Sequence, residues 1–259
     1  MRRFGRHEQE IMERCIKAGS ALLLFDFDGT LAPIVGHPDS ARLPGRWRSR
    51  LETLARHRRI AVGIVTGRPY HDIRKRIPSR GIVVSTDHGH EVRLGRKLLM
   101  SVGGGLKKKM AALAKEAASI LDEAPEAYVE RKDYSVAFHY RLVPPQKKAQ
   151  ASRKFAQIAR PYCRRLGLKL SRGKQLLEVR QAGLWDKGKA SMWIWRKLAP
   201  RALPFYFGDD TTDEDAFRAI GGHGVTVRIG KKTGSFARYF MEEMDEAARF
   251  LDSLCRSLK

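Results

Sequence analysis

The sequence predicts an α/β protein: a Rossmann-like parallel sheet with helices on both faces, interrupted by an inserted α+β segment. Three observations predict it. Short apolar runs alternate with amphipathic stretches in the first hundred residues and again after Gly183. Several of those runs end in clusters of Asp, Thr and Gly, at the edge where open α/β sheets place their ligands. Between Gly103 and Gly183 the order becomes helix, two strands, helix, two strands, as when helices lie on one face of an antiparallel sheet. The expected domains are residues 1–102 with 184–259, and an insert of 103–183.

Residues 8 to 17 read as an amphipathic helix leading into the apolar strand Ala21 to Phe25, after which the chain reads D-F-D-G-T-L-A-P-I. Alternation along a strand predicts that Asp26 and Asp28 point the same way and Phe27 the other. Trp47, Leu51 and Leu54 have helical spacing. A strand from Arg59 to Val65 ends in T-G-R-P, and Pro69 suits the first turn of a helix over Tyr70 to Arg76. Gly81 to Ser85 is a third strand, followed by T-D-H-G-H-E. In the insert, helices are expected from Leu106 to about Glu123 and from Pro145 to Leu166. Strands are expected over Ala127 to Arg131 and Tyr134 to Arg141, and on either side of Arg172-Gly173-Lys174. The last part adds a helix from Lys187, a strand Leu203 to Phe207 ending in G-D-D-T-T-D-E-D, a helix, a strand Gly224 to Ile229 and a helix near Glu242 to Leu254.

With 259 residues there is room for one large domain or two modest ones. Hydrophobic residues make up 42% and charged residues 31%, as in globular proteins. No run approaches the roughly 20 apolar residues of a membrane span, and the basic N-terminus leads into no apolar signal segment. Cys15, Cys163 and Cys255 are far apart and without metal-ligand spacing, so they are expected as thiols in a reducing, cytoplasmic setting. Lys and Arg total 51 against 28 Asp and Glu, a net charge of +23. The insert is the more basic part, with 18 Lys/Arg and 7 Asp/Glu between Gly103 and Gly183. Such a field attracts anions. The charge is spread through the chain and lacks the aromatic interleaving of a single-strand platform. An anionic small substrate is therefore expected ahead of nucleic acid, in a monomer without a membrane partner.

Four stretches stand at expected strand ends or helix starts: Asp26/Asp28, Thr66-Gly67-Arg68, Lys187-Gly188, and Asp209/Asp210 with Asp213/Glu214. They supply a nucleophilic carboxylate, a second carboxylate, a hydroxyl, an ammonium and an acidic cluster. Phosphoryl transfer needs that inventory, because charge on the transferring group must be offset while a nucleophile sits in line. Mg²⁺ takes oxygen ligands and one or two protein carboxylates, which Asp26 with Asp209 or Asp213 can supply. Asp210, Glu214 and Asp215 also suit the N-terminus of the following helix.

D-F-D-G-T-L, T-G-R, the Lys before Gly188 and G-D-D-T-T-D resemble, in order, the four motifs of the haloacid dehalogenase (HAD) superfamily. D-H-G-H-E, V-E-R-K-D-Y-S-V-A-F-H-Y-R, G-K-Q-L-L-E-V-R and G-D-D-T-T-D-E-D-A-F look more narrowly like the trehalose-phosphate phosphatase family. The resemblance implies a HAD core with a mobile cap, Mg²⁺ as cofactor and a phosphorylated disaccharide as substrate in trehalose biosynthesis. It implies Asp26 as nucleophile and Asp28 as general acid/base, with Thr66 and Lys187 on the phosphoryl oxygens. Asp26, Asp28, Asp209 and Asp213 form the implied metal set. Arg68, Glu130, Lys132, Arg141, Lys174 and Glu178 are the implied substrate-binding residues. The chain departs from the family at Thr66, where Ser is common, at Asp87, where Asn is common, and in Q-A-G-L-W-D-K-G around Lys187. Rival readings are a phosphatase for another sugar phosphate, a nucleic-acid-binding protein using the net charge, and a regulatory domain without turnover.

Overall fold

A computed structural model describes residues 1–35, 38–78, 80–173, 175–181 and 185–258. In chain order the elements are β1 (Arg2–Arg3), α1 (Glu8–Ala18), β2 (Ala21–Phe25), α2 (Gly45–Arg56), β3 (Ile60–Val65), α3 (Tyr70–Ile73) and β4 (Ile82–Thr86). Next come β5 (Glu91–Leu94), β6 (Lys97–Ser101), α4 (Leu106–Ala118), β7 (Tyr128–Arg131), β8 (Ser135–His139), α5 (Pro145–Leu166), β9 (Leu168–Gly173) and β10 (Leu176–Gln181). The chain closes with α6 (Lys187–Leu198), β11 (Leu203–Gly208), α7 (Glu214–Gly221), β12 (Val225–Ile229), β13 (Tyr239–Met241) and α8 (Ala247–Ser257). Two units result: Met1–Ser101 with Asp186–Lys259, and Val102–Trp185.

The first unit is the expected α/β layer. Among the described residues its sheet has nine strands in the order β1-β13-β12-β11-β2-β3-β4-β5-β6. Pairing is parallel from β1 to β4. The strand β2 is apolar throughout because both its faces are covered. Ala21, Leu23 and Phe25 pack in one core with Trp47 and Leu51 of α2 and Phe250 of α8. Leu22 and Leu24 pack in the opposite core with Ile194 of α6 and Phe217 of α7. Strand order reverses direction around β2, so the ends of β2, β3 and β11 open onto the switch-point crevice.

Some elements differ from expectation. β5 and β6 form an antiparallel hairpin on β4; with four and five residues and half-exposed side chains, they carry little hydrophobic signal. The helix after Pro69 stops at Ile73, and Lys75 and Arg76 continue as tight turns bonding three residues back. The last helix starts at Ala247, because Tyr239–Met241 is a buried strand just before it.

The second unit has a four-stranded antiparallel sheet, order β7-β8-β10-β9. Met110 and Leu113 of α4 and Phe155 of α5 pack with Val136, Phe138, Leu177 and Val179. Alternation sends Glu130, Ala137 and Glu178 to the opposite face, where they stand in one cross-strand row ending at Ser171. No helix among the described residues is long and apolar enough to cross a membrane.

Candidate active site

Asp26 follows immediately on β2, and its backbone N–H donates to the Phe207 carbonyl of β11 at 2.8 Å. The residue is 4% exposed. Lys187, at the first position of α6, donates through Nζ to Asp26 Oδ1 and to Asp213 Oδ1, each at 2.8 Å. A cation at a helix N-terminus opposes the helix dipole, and these two carboxylates offset that cost. Asp186 caps the helix by accepting from the Lys189 N–H at 2.8 Å. Gly188 lets α6 come close: a Cβ there would stand 2.3 Å from the Asp215 carbonyl oxygen.

Asp213 uses all its acceptor sites. Oδ1 also takes the Tyr206 hydroxyl at 2.8 Å, and Oδ2 takes the N–H groups of Asp209 and Asp210 at 3.0 and 2.9 Å. A carboxylate has about four lone-pair sites, so Asp213 fixes the loop and Lys187 before it can serve anything else. Asp209 Oδ1 accepts from the Thr30 hydroxyl at 2.9 Å. Arg228, almost fully buried, donates to the backbone carbonyls of Asp209 and Asp210 and to Glu214. Thr30, Tyr206 and Arg228 were not anticipated. Thr30 lies inside D-F-D-G-T-L, and Tyr206 is the one hydroxyl in L-P-F-Y-F-G; both were readable as polar tips in apolar surroundings.

Ligand oxygens of Asp26, Asp209 and Asp213 all lie within 4.8 Å of one another. Burial pushes Asp26 upward from the ordinary carboxylate range; Lys187 opposes this and Asp213 and Asp209 add to it. Burial also pushes Asp209 up to about 6, against the Thr30 hydrogen bond and with the help of Asp213 and Asp210. Burial works against a charged Lys187, but Asp26 and Asp213 outweigh it and hold its ammonium above the usual range. Three carboxylates against one ammonium leave excess negative charge among hard oxygen donors. That donor set fits Mg²⁺, with Asp26 and Asp209 offering the freer oxygens.

Asp28 does not join this group. The strand ends at Phe25, so strand alternation no longer governs the two carboxylates, and a turn follows in which the Leu31 and Ala32 N–H groups bond the Phe27 carbonyl. Arg68 forks onto Asp28, Nε to Oδ2 and Nη2 to Oδ1, both at 2.6 Å. Arg68 Nη1 also donates to Asp72 at 2.5 Å, and Asp72 accepts from Arg76 at 2.9 and 2.6 Å. Arg68, expected on the substrate, is here a holder of Asp28. Thr66 is buried just past β3; its oxygen accepts from the Arg68 N–H at 3.1 Å, which leaves the hydroxyl hydrogen without an acceptor among the described residues.

In the second unit, His139 Nε2 lies 3.0 Å from Glu130 Oε2, and Lys132 Nζ lies 3.5 Å from Oε1. Burial disfavours the Glu130 anion, but Lys132 and His139 outweigh it and hold the carboxyl below its usual range. Glu178 shares the row; its carboxylate has no hydrogen bond or ion pair with another described residue, while its backbone carbonyl accepts from the Ser171 hydroxyl at 3.5 Å. Arg141 lies exposed beyond β8, and Lys174 falls outside the described residues.

Comparison with known proteins adds the following. The trehalose-phosphatase family model matches residues 24–247. A trehalose-phosphate phosphatase of Mycobacterium tuberculosis is 31% identical over 92% of this chain, and the chain spans 62% of that relative's length. A probable trehalose-phosphate phosphatase D of Arabidopsis thaliana is 29% identical over 95% of this chain and 70% of its own. A solved trehalose-6-phosphate phosphatase of Aspergillus fumigatus matches with a TM-score of 0.68 and 27% identity, covering 96% of this chain and 97% of that one.

Proposed function

The chain belongs to the trehalose-phosphatase family of the HAD superfamily, and we propose that it hydrolyses trehalose 6-phosphate to trehalose and inorganic phosphate. The observation that carries this is the buried Asp26 carboxylate, bonded by Lys187 within an acidic group that fits Mg²⁺, at the sheet's switch point.

An Asp26 oxygen attacks phosphorus while the bond from phosphorus to the sugar oxygen breaks, giving an aspartyl phosphate. Asp28 gives the leaving oxygen its proton, then takes one from the water that attacks phosphorus and frees Asp26. To act as acid, Asp28 must carry a proton on one oxygen and turn it to the sugar oxygen while Arg68 keeps hold of the other. Lys187 and the Thr66 hydroxyl hold phosphoryl oxygens, and Asp213 and Tyr206 keep Lys187 in place. Mg²⁺, held by Asp26 and Asp209, offsets charge on the phosphoryl group when bound. Glu130, Lys132, Arg141, Lys174 and Glu178 read the sugar hydroxyls, which both give and accept hydrogen bonds. The three free cysteines support a reducing compartment such as the cytoplasm.

Phosphate release from trehalose 6-phosphate, sucrose 6-phosphate and a glycosyl-phosphoglycerate, each with and without Mg²⁺, tests the reading. Preference for the first ester and loss of turnover on chelation are expected. Faster release from either other ester would overturn the substrate.

A further inference from the structure

The face of the β7-β8-β10-β9 sheet turned away from its helices carries two kinds of row. One is the polar row Glu130, Ala137, Glu178 and Ser171. The neighbouring row, two residues along each strand and so on the same face about 7 Å away, is Tyr128, His139, Leu176 and Gly173. Tyr128 is 61% exposed, although a tyrosine ring is mostly apolar surface. Its ring lies 5.7 Å from the His139 ring, tilted by 37°. His139 is held in turn by Glu130 at 3.0 Å, so the ring that backs Tyr128 is fixed to the first acceptor of the polar row. Leu176 covers the place beside Gly173, where a Cβ would lie 3.6 Å from its side chain. The row therefore offers ring and aliphatic surface beside a line of acceptors.

A hexopyranose has the matching division. Its ring C–H groups form an apolar face and its hydroxyls a polar rim, and ligand sites pair aromatic walls with a few placed polar groups in this way. We propose that Tyr128, backed by His139 and flanked by Leu176, is a stacking platform for a pyranose ring of the substrate, with Glu130 and Glu178 taking that sugar's hydroxyls. This rests on the reading that the chain acts on a sugar ester. Tyr128 acts here through its ring, not its hydroxyl, which has no hydrogen-bond partner among the described residues.

The experiment compares wild type, Tyr128→Phe and Tyr128→Ala on the hexopyranose ester that the wild type turns over fastest, chosen from trehalose 6-phosphate, sucrose 6-phosphate and glucose 6-phosphate, and on an aryl phosphate. Choosing the ester by wild-type rate separates the two claims: the substrate reading stands or falls on wild type alone, the platform on the variants. Tyr128→Ala is expected to raise KM for the sugar ester about tenfold with kcat changed far less, the size of a lost ring contact. Tyr128→Phe is expected to stay near wild type. Weakened inhibition by free trehalose in the Ala variant would support the same conclusion from binding alone. Equal losses on the sugar and aryl esters, an unchanged KM in the Ala variant, or a Phe variant as impaired as Ala would each overturn it.

Discussion

The guanidinium of Arg68 closes on both oxygens of Asp28 at 2.6 Å, while a third nitrogen reaches Asp72 at 2.5 Å. The residue proposed to deliver a proton is thus clamped by a cation that is itself clamped. Arg68→Ala is expected to lower kcat on trehalose 6-phosphate by at least about tenfold, because Asp28 loses its aim at the leaving oxygen. An activated aryl phosphate, which needs little help from an acid, is expected to lose less. Steady-state kinetics on both esters decides the role. A raised KM with unchanged kcat would make Arg68 a substrate-binding residue instead.

Asp72 stands between Arg68 and Arg76. Burial works against its anion, but hydrogen bonds from Arg76 and Arg68 outweigh that and hold the carboxyl below its usual range. A depressed folded value gives stability that is present above the unfolded value and lost as pH falls through the folded one. Asp72→Asn is expected to cost about 1–3 kcal/mol at neutral pH, the range for hydrogen bonds to charged groups. Urea denaturation of both proteins at neutral pH and in acid checks it; the gap between them narrows once the pH drops below about 4. A gap independent of pH would assign the loss to packing.

The proposed metal site has the opposite sign. Asp209, raised by burial to about 6, keeps a proton in the metal-free folded state that the unfolded chain has already lost. Metal-free stability therefore falls as pH rises from the usual carboxylate value through about 6. A Mg²⁺ ion held by Asp209 would need its ionised form, so the rise in Tm on adding Mg²⁺ is expected to grow over the same window. Thermal melts with Mg²⁺ and with chelator at about pH 5 and pH 7.5 measure this difference. An equal shift at both would remove Asp209 from the site.

Glu178→Ala removes a carboxylate, unpaired among the described residues, from the face of the second sheet turned away from its helices. It is expected to lower kcat/KM on trehalose 6-phosphate by about 1–3 kcal/mol. The aryl ester lacks the sugars and serves as the comparison. Parallel losses on both esters would mean that Glu178 supports folding.

Gly188→Ala tests the seat of Lys187. The added methyl would meet the Asp215 carbonyl at 2.3 Å and Ala219 at 3.1 Å, so α6 must shift against α7. A destabilisation of about 1–3 kcal/mol is expected, with a fall in kcat because Lys187 is the preceding residue. A variant with wild-type Tm and kcat would show that the helix pair yields without moving Lys187.

The parallel core was legible because β2, β3, β4 and β11 are buried on both faces, which leaves uninterrupted apolar runs. The chemistry was legible because each run stops at charged residues. What escaped had weak local signal. The β5–β6 hairpin is short and half exposed, and β13 is three residues long. Asp26 was expected with Asp209 and Asp213, and with Asp28 as well; that Asp28 stands apart depends on where β2 stops and on an arginine from another turn. Neither is written in D-F-D-G-T-L. Thr30 and Tyr206 lay inside motifs already singled out, but hydroxyl partners are set by tertiary neighbours and not by spacing.

The Thr30–Asp209 hydrogen bond joins residues 179 positions apart, and Lys187 meets Asp26 across 161. Contacts of that separation form late, because a long loop must close before they contribute anything. The second unit is one continuous stretch with its own core, so its contacts are shorter in sequence and forming them would shorten that loop. The β2–β3 pair is close in sequence and the β2–β11 pair is distant, so the first is expected to form before the second. Without β11 the Asp26 N–H lacks the Phe207 carbonyl, and a chain cut before it lacks Asp209 and Asp213 altogether, so Asp26 and Lys187 alone cannot make the site.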